Sequence, residues 1–443
     1  MGLTGKTAVE IGRMIDSGSV DPVEVAEHFL GAIEQSDLGP QIFARTTRER
    51  AIREALRARE RARSGTRRSL LDGVPVSWKD LFDTEGVATE SGAALLRGST
   101  PHRDAHVLEL AGAAGTVCLG KTHQTEFAFS GLGINPNTAT PPNLDFPGCT
   151  PGGSSSGAAA SIRYGMAPIA IGSDTGGSVR IPACWNSLVG FKTTHGLISL
   201  EGVVPLCSGF DTVGPLAQSV EDAAVMTEIM AGGDLETPLE RALGDCHFAI
   251  PEGESFADCD IAQIEGFESA VRMLEKAGAR ISRIEAPYFH STVTLGPVLF
   301  PYEAWHSWGE LIDANPGVTY GPVEERFRQG SVIAREVYLK AKATLEDMRR
   351  KHEASILDYD ALLTPTLAIT PKSVDELLAD GALFNSTNLM ALRNTRYVNL
   401  SGGCALTLPT QINGAGLQII GSAYEDAKIL GIGLAAERAL NFG

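Results

Sequence analysis

The pattern of apolar and polar positions changes character near residue 70. The first 65 residues read as helices. Thr7 and Glu10 have capping-box spacing, and Asp21 stands as a cap before Pro22 at a first helical position. From residue 73 onward, short apolar runs alternate with helical stretches. Residues 73–79 (GVPVSWK), 116–120 (TVCLG) and 166–172 (MAPIAIG) read as buried strands, with helices at 104–115 and 158–165 between them. The texture repeats later, with strands at 246–250, 279–286, 361–368, 404–409 and 416–421, a helix near 262–277, and mainly helix over 301–357. This alternation predicts an α/β fold, a sheet covered by helices. No internal repeat or low-complexity linker divides it, so the expectation is one large domain over residues 66–443 with a helical arm over 1–65.

Composition narrows the function classes. Of 443 residues, 43 % are hydrophobic and 21 % charged, ordinary for a globular protein with a large core. The net charge of −17 argues against a nucleic-acid binder held by phosphate contacts. Residues 45–68 are the exception, with ten arginines on a predicted helix. Glu49, Glu54 and Glu60 among them favour a solvated face with i,i+4 ion pairs. Seven cysteines without CxxC spacing fit a reducing compartment. The N-terminus lacks a basic and then apolar leader, and no apolar run approaches the about 18 residues that span a bilayer. A cytoplasmic protein is expected.

Three segments carry candidate chemistry. Lys79 ends the first apolar run, and strand alternation turns Asp80 to the opposite face. A lysine in a closed interior can lose its proton by desolvation, whereas a carboxylate facing it would hold it charged. Residues 152–157 (GGSSSG) precede the helix-forming AAAS, so the serines sit at a helix N-terminus rich in free N–H donors. They also match G-x-S-x-G with Ser155 in the nucleophile's place. That motif needs a strand before it, and residues 141–152 hold four prolines. Residues 172–182 (GSDTGGSVRIP) follow an apolar strand, placing Ser178 at a strand's carboxyl end, where ligands meet α/β sheets. Gly176 and Gly177 permit successive N–H groups to form an anion-binding nest, and Asp174 and Arg180 can brace the turn.

The stretch 148–196 resembles the signature segment of the amidase signature family. GVPVSWKDLFDTEGVATESGA, GKTHQTEFAFSGLGINP and NLSGGCALTLP…GLQIIG are similar to further family segments in the same order. The resemblance implies a mixed central sheet flanked by helices, with a signature core over about 70–230 and a more variable specificity region over about 290–395. It implies a Ser–cisSer–Lys triad in which Ser178 is the nucleophile, Ser154 the bridging serine in a cis peptide and Lys79 the base. Backbone N–H groups of Thr175, Gly176, Gly177 and Ser178 would form the oxyanion hole, with Ser155, Asp174 and Arg180 in support. The chemistry so implied uses no metal or organic cofactor and acts on a small-molecule amide. Asn186, Ser187 and Thr193 depart from the family pattern without touching the triad.

Two roles stay open: a stand-alone amidase, with a homodimer as the default assembly, and the glutamine-hydrolysing A-subunit of a tRNA-dependent amidotransferase. A non-catalytic binding protein of the same fold is a third, disfavoured by the intact Lys79, Ser154 and Ser178. Pocket candidates by position are Thr125, Phe127, Phe129, Gly131, Tyr302 and Trp305. Arg393, Arg396 and Tyr397 are candidates to meet a polar or anionic substrate group. His102 and His106 lack the glutamate of H-E-x-x-H, and Cys184 lies in an apolar context that speaks against a thiol dyad with His195.

Overall fold

In the computed structural model, which describes residues 2–440, the strands join in one mixed sheet. The strands are β1 (Phe43–Thr46), β2 (Pro75–Lys79), β3 (Val117–Thr122), β4 (Ile169–Ser173), β5 (Val189–Lys192), β6 (Val213–Ala217), β7 (His247–Glu252), β8 (Arg280–Glu285), β9 (Ala361–Pro365), β10 (Cys404–Pro409) and β11 (Gly416–Gly421). Their order is β1-β3-β2-β4-β6-β5-β10-β11-β9-β7-β8. β2 runs parallel to β3 and β4, and β7 parallel to β8 and β9; the other neighbours are antiparallel. Helices cover both faces, so β2, β3, β4, β10 and β11 are buried at every position and do not alternate; apart from Lys79, Lys121 and Gln418 their residues are apolar or hydroxyl-bearing. The edge strand β8 is the charged, partly exposed RISRIE, a composition that discourages further pairing.

Both predicted helix starts form as read. Thr7 and Glu10 make the reciprocal capping box (2.9 and 3.2 Å), and Asp21 caps the next helix through Val23 N–H at 2.8 Å. Residues 1–65 are not all helical, however, because β1 pairs with β3 along Phe43–Thr46. The arginine-rich helix Arg48–Ser64 also differs from expectation. Of its ion pairs only Arg50 to Glu54 is i,i+4; Arg50 also binds Asp104 (2.7 Å), Arg59 binds Asp21 (2.7 Å) and Arg61 binds Asp72 (2.6 Å). The charge run is a set of ties between elements. Among the described residues no helix is long and apolar enough to cross a membrane.

Candidate active site

β2 delivers Lys79 to its last position, wholly buried. Its ammonium nitrogen donates to Ser154 Oγ at 2.7 Å and to Ser173 Oγ at 2.8 Å. Burial pulls its pKa down to about 7, against the opposing fields of Asp174 and Asp211, neither of which it contacts. Asp80 faces away, as strand alternation requires, and pairs with Arg45 (2.7 Å) and Lys121 (3.5 Å).

Ser154 belongs to a tight crossing of loops. The Gly153–Ser154 peptide is cis. A Cβ on Gly153 would lie 2.5 Å from Gly133 N and 2.7 Å from Thr125 Oγ1, so only glycine fits there. The Ser154 carbonyl accepts from Thr125 N–H (3.1 Å), which fixes the serine's backbone. Ser155 starts the helix Ser156–Arg163, donates its N–H to the Ser178 carbonyl (3.2 Å) and its hydroxyl to the Ser173 carbonyl (3.3 Å). That makes Ser155 a brace between two segments.

The turn after β4 is organised around a buried ion pair. Asp174 accepts from Arg180 Nη2 (2.8 Å) and Nε (3.0 Å), from Gly177 N–H (2.8 Å) and from Val179 N–H (3.1 Å). Burial alone would raise its pKa, yet Arg180 overrides this and holds the carboxyl well below its usual range. Gly177 has φ +137°, and a Cβ there would come within 2.1 Å of Thr395 Oγ1. Its N–H, expected to meet an oxyanion, is instead committed to Asp174. Among the described residues nothing accepts from the N–H groups of Thr175, Gly176 or Ser178. The Thr175 hydroxyl donates to Asp211 at 2.5 Å.

Thr175, Gly176 and Ser178 open on a small cleft. Phe129 and Ser130 wall one side, while Phe300, Arg326, Leu392 and Arg396 arrive from the helical second half. Of the pocket candidates read from sequence, Phe129 and Arg396 are on this wall. The rest sit elsewhere. Thr125 lies behind Ser154, and Gly131 packs on Ile181 and Leu392 while its carbonyl accepts from Gly153. Phe127 packs at a tilt against Trp308 and edge-on against Phe327, and Trp305 packs against Gly309 and Gly330. Tyr302 stacks between His306 and Tyr338. Arg393 points to the carbonyls of Ser255 and Ala257, and the Tyr397 hydroxyl bonds His352 in the interior. Cys184 and His195 do not meet: the thiol faces the Gly414 carbonyl, and the imidazole faces the Ser208 carbonyl.

Sequence reasoning passed over Ser173, Asp211 and Arg326. Ser173 could have been found, since it precedes Asp174 and shares the face of β4 that Lys79 meets. Asp211 and Arg326 carry no local signal; only packing brings them here.

Amidase-family sequences match this chain over residues 24–430. The A-subunit of the glutamyl-tRNA(Gln) amidotransferase of Alcanivorax borkumensis is 32 % identical over 96 % of this chain and 95 % of its own length. The 2-amino-5-chloromuconic acid deaminase of Comamonas testosteroni is 33 % identical, over 84 % and 83 %. A crystal structure of an amidase superposes with a TM-score of 0.88 at 28 % identity, covering 98 % of this chain and all of the other. Fold, signature segment and these likenesses run over the same residues, and the chain belongs to the amidase signature family.

Proposed function

We propose that this protein hydrolyses the C–N bond of a carboxylic amide through an acyl-enzyme on Ser178. The observation that carries the reading is the buried Lys79 amine, 2.7 Å from Ser154 Oγ and touched by hydroxyls but by no carboxylate. In its neutral form this amine accepts the Ser154 proton while Ser154 takes that of Ser178. Ser178 Oγ then bonds to the amide carbon, and the oxyanion meets the N–H groups of Thr175, Gly176 and Ser178. Losing one such donor typically costs about 2.7–4 kcal/mol of transition-state stabilisation. Ser154 passes the proton to the leaving nitrogen as the C–N bond breaks. Water then adds to the ester, giving the acid and a free Ser178. Asp174, Arg180 and Ser155 hold the turn, and Asp211 orients Thr175. In this reading no metal or organic cofactor is used, and the protein works in the cytoplasm.

A second reading, the glutamine-hydrolysing component of a tRNA-dependent amidotransferase, is favoured by the name of the Alcanivorax relative. The test is turnover by the purified chain. Release of ammonia from simple amides without a partner supports the first reading; strict dependence on partner proteins supports the second. Failure of a fluorophosphonate to label Ser178 would sink both.

A further inference from the structure

The cleft beside Ser178 is charged in one sense only. Its wall carries two guanidiniums, Arg326 and Arg396, and no carboxylate. In a chain of net charge −17 this is not a sample of the general surface. Arg180, Arg61 and Arg50 each have a carboxylate partner: Asp174 (2.8 Å), Asp72 (2.6 Å) and Asp104 (2.7 Å). The cleft pair does not. Arg326 donates to the Phe129 carbonyl and lies 4.3 Å from the Phe129 ring centroid. Arg396 is buried, 5.8 Å from the Phe300 ring centroid. Among the described residues neither has a carboxylate partner.

The electrostatic consequence is visible in both groups. Burial, then the charge of Arg396, pulls Arg326 down to about 9, and burial pulls Arg396 down to about 10. Charge held away from water is stabilised when a counter-charge with matching hydrogen-bond geometry arrives. For a guanidinium that partner is a planar oxyanion. Leu206, Phe300 and Leu392 line the same space and limit screening by water.

We infer that the cleft takes amides whose acyl chain carries a second, anionic group, a carboxylate at the end facing Arg326 and Arg396. The substrate class is the monoamide of a short dicarboxylic acid. An ammonium beside that carboxylate finds two cations and no carboxylate on the cleft wall, so glutamine, the amino-substituted analogue of glutaramate, binds more weakly than glutaramate. Which end of the substrate reacts rests on the proposed role of Ser178. The preference for an anion rests on the arginines alone.

The test uses the full chain carrying Ser178→Ala, titrated calorimetrically with succinamate, glutaramate, butyramide and glutamine. One of the two carboxylate amides binds at least about 30-fold more tightly than butyramide, and Arg396→Gln in the same background removes that preference. Butyramide binding as tightly as both anions, failure of both anions to bind, or a preference that survives Arg326→Gln and Arg396→Gln together overturns the inference. If Arg396→Gln does not fold, as judged by circular dichroism, Arg326→Gln on its partly exposed helix carries the comparison. Hydrolysis by the unmutated chain is scored separately. Anion-selective binding without any amide turnover would remove the proposed hydrolase and leave the anion site standing.

Discussion

Lys79 and Lys121 lie on neighbouring parallel strands and face opposite sides of the sheet. Lys79 is in register with Thr122, and Lys121 with Trp78. Both are fully buried, and burial lowers the pKa of each. Their surroundings differ in one respect. Lys121 donates to the Phe82 carbonyl (2.6 Å) and Thr89 Oγ1 (2.8 Å) and has Asp80 at 3.5 Å, whose charge works against the loss of its proton. Lys79 meets hydroxyls only, and the two carboxylates whose fields reach it are turned to Arg180 and Thr175. A carboxylate on one face makes a buried lysine a structural cation. Its absence on the other leaves an amine able to take a proton.

Substitutions can break this contrast. The largest effect falls on the group Lys79 is proposed to serve: Ser178→Ala lowers kcat/KM for amide hydrolysis by at least about 10⁴-fold with no change in Tm. Near-normal turnover in that variant would remove the site. Lys79→Met lowers kcat/KM by about 10²–10⁴-fold, and because no buried ion pair is broken its Tm holds or rises. Lys121→Met behaves in the reverse sense. It leaves Asp80 with Arg45 as its remaining cation and costs about 3 kcal/mol in denaturant unfolding, while kcat changes little in the folded fraction. Equal activity losses for the two lysines would erase the distinction. The mildest probe is pH. In the proposed mechanism the working form of Lys79 is the neutral amine, so kcat/KM falls about tenfold per unit below the pKa and levels off above it. With that pKa at about 7, the bend lies near neutrality. A profile flat from acid to neutral pH would mean that Lys79 does not titrate in the free enzyme.

The sequence was most readable where one segment supplies both the backbone and the chemistry. Lys79 closes an apolar run, and Ser178 follows two glycines after another, so strand period and turn chemistry place both. The reading weakened where tertiary packing overrides local signals. Pro215 sits in β6, opposite Ile171 of β4 and inside the sheet, a position that a proline normally argues against. Arg45 hides β1 inside an arginine-rich stretch, because its charge is used by Asp80 and Glu90, both more than thirty residues away. Arg326 lies in GPVEERFRQG, which reads as an ordinary charged helix (Gly321–Ser331). It reaches the cleft because Phe327 beside it packs edge-on against Phe127 and Phe129, with ring centroids 5.6 and 4.8 Å apart. No spacing rule in a single chain announces that contact.

Thr395 gives its hydroxyl to the Gly176 carbonyl (2.7 Å), and Arg180 reaches the Thr395 carbonyl (2.8 Å), Gln418 (2.8 Å) and Asn399 (2.7 Å). Arg396 is the next residue along. The turn that bears Ser178 and the helix that bears the cation are therefore cross-braced, and the span between them cannot stretch to suit a guest. Such a frame works as a gauge. A chain one methylene too short or too long leaves either its carboxylate or its amide carbon out of place, a mismatch of about 10-fold or more in kcat/KM. Across a homologous series of ω-amic acids, rate against length should rise to one member and drop on both sides of it.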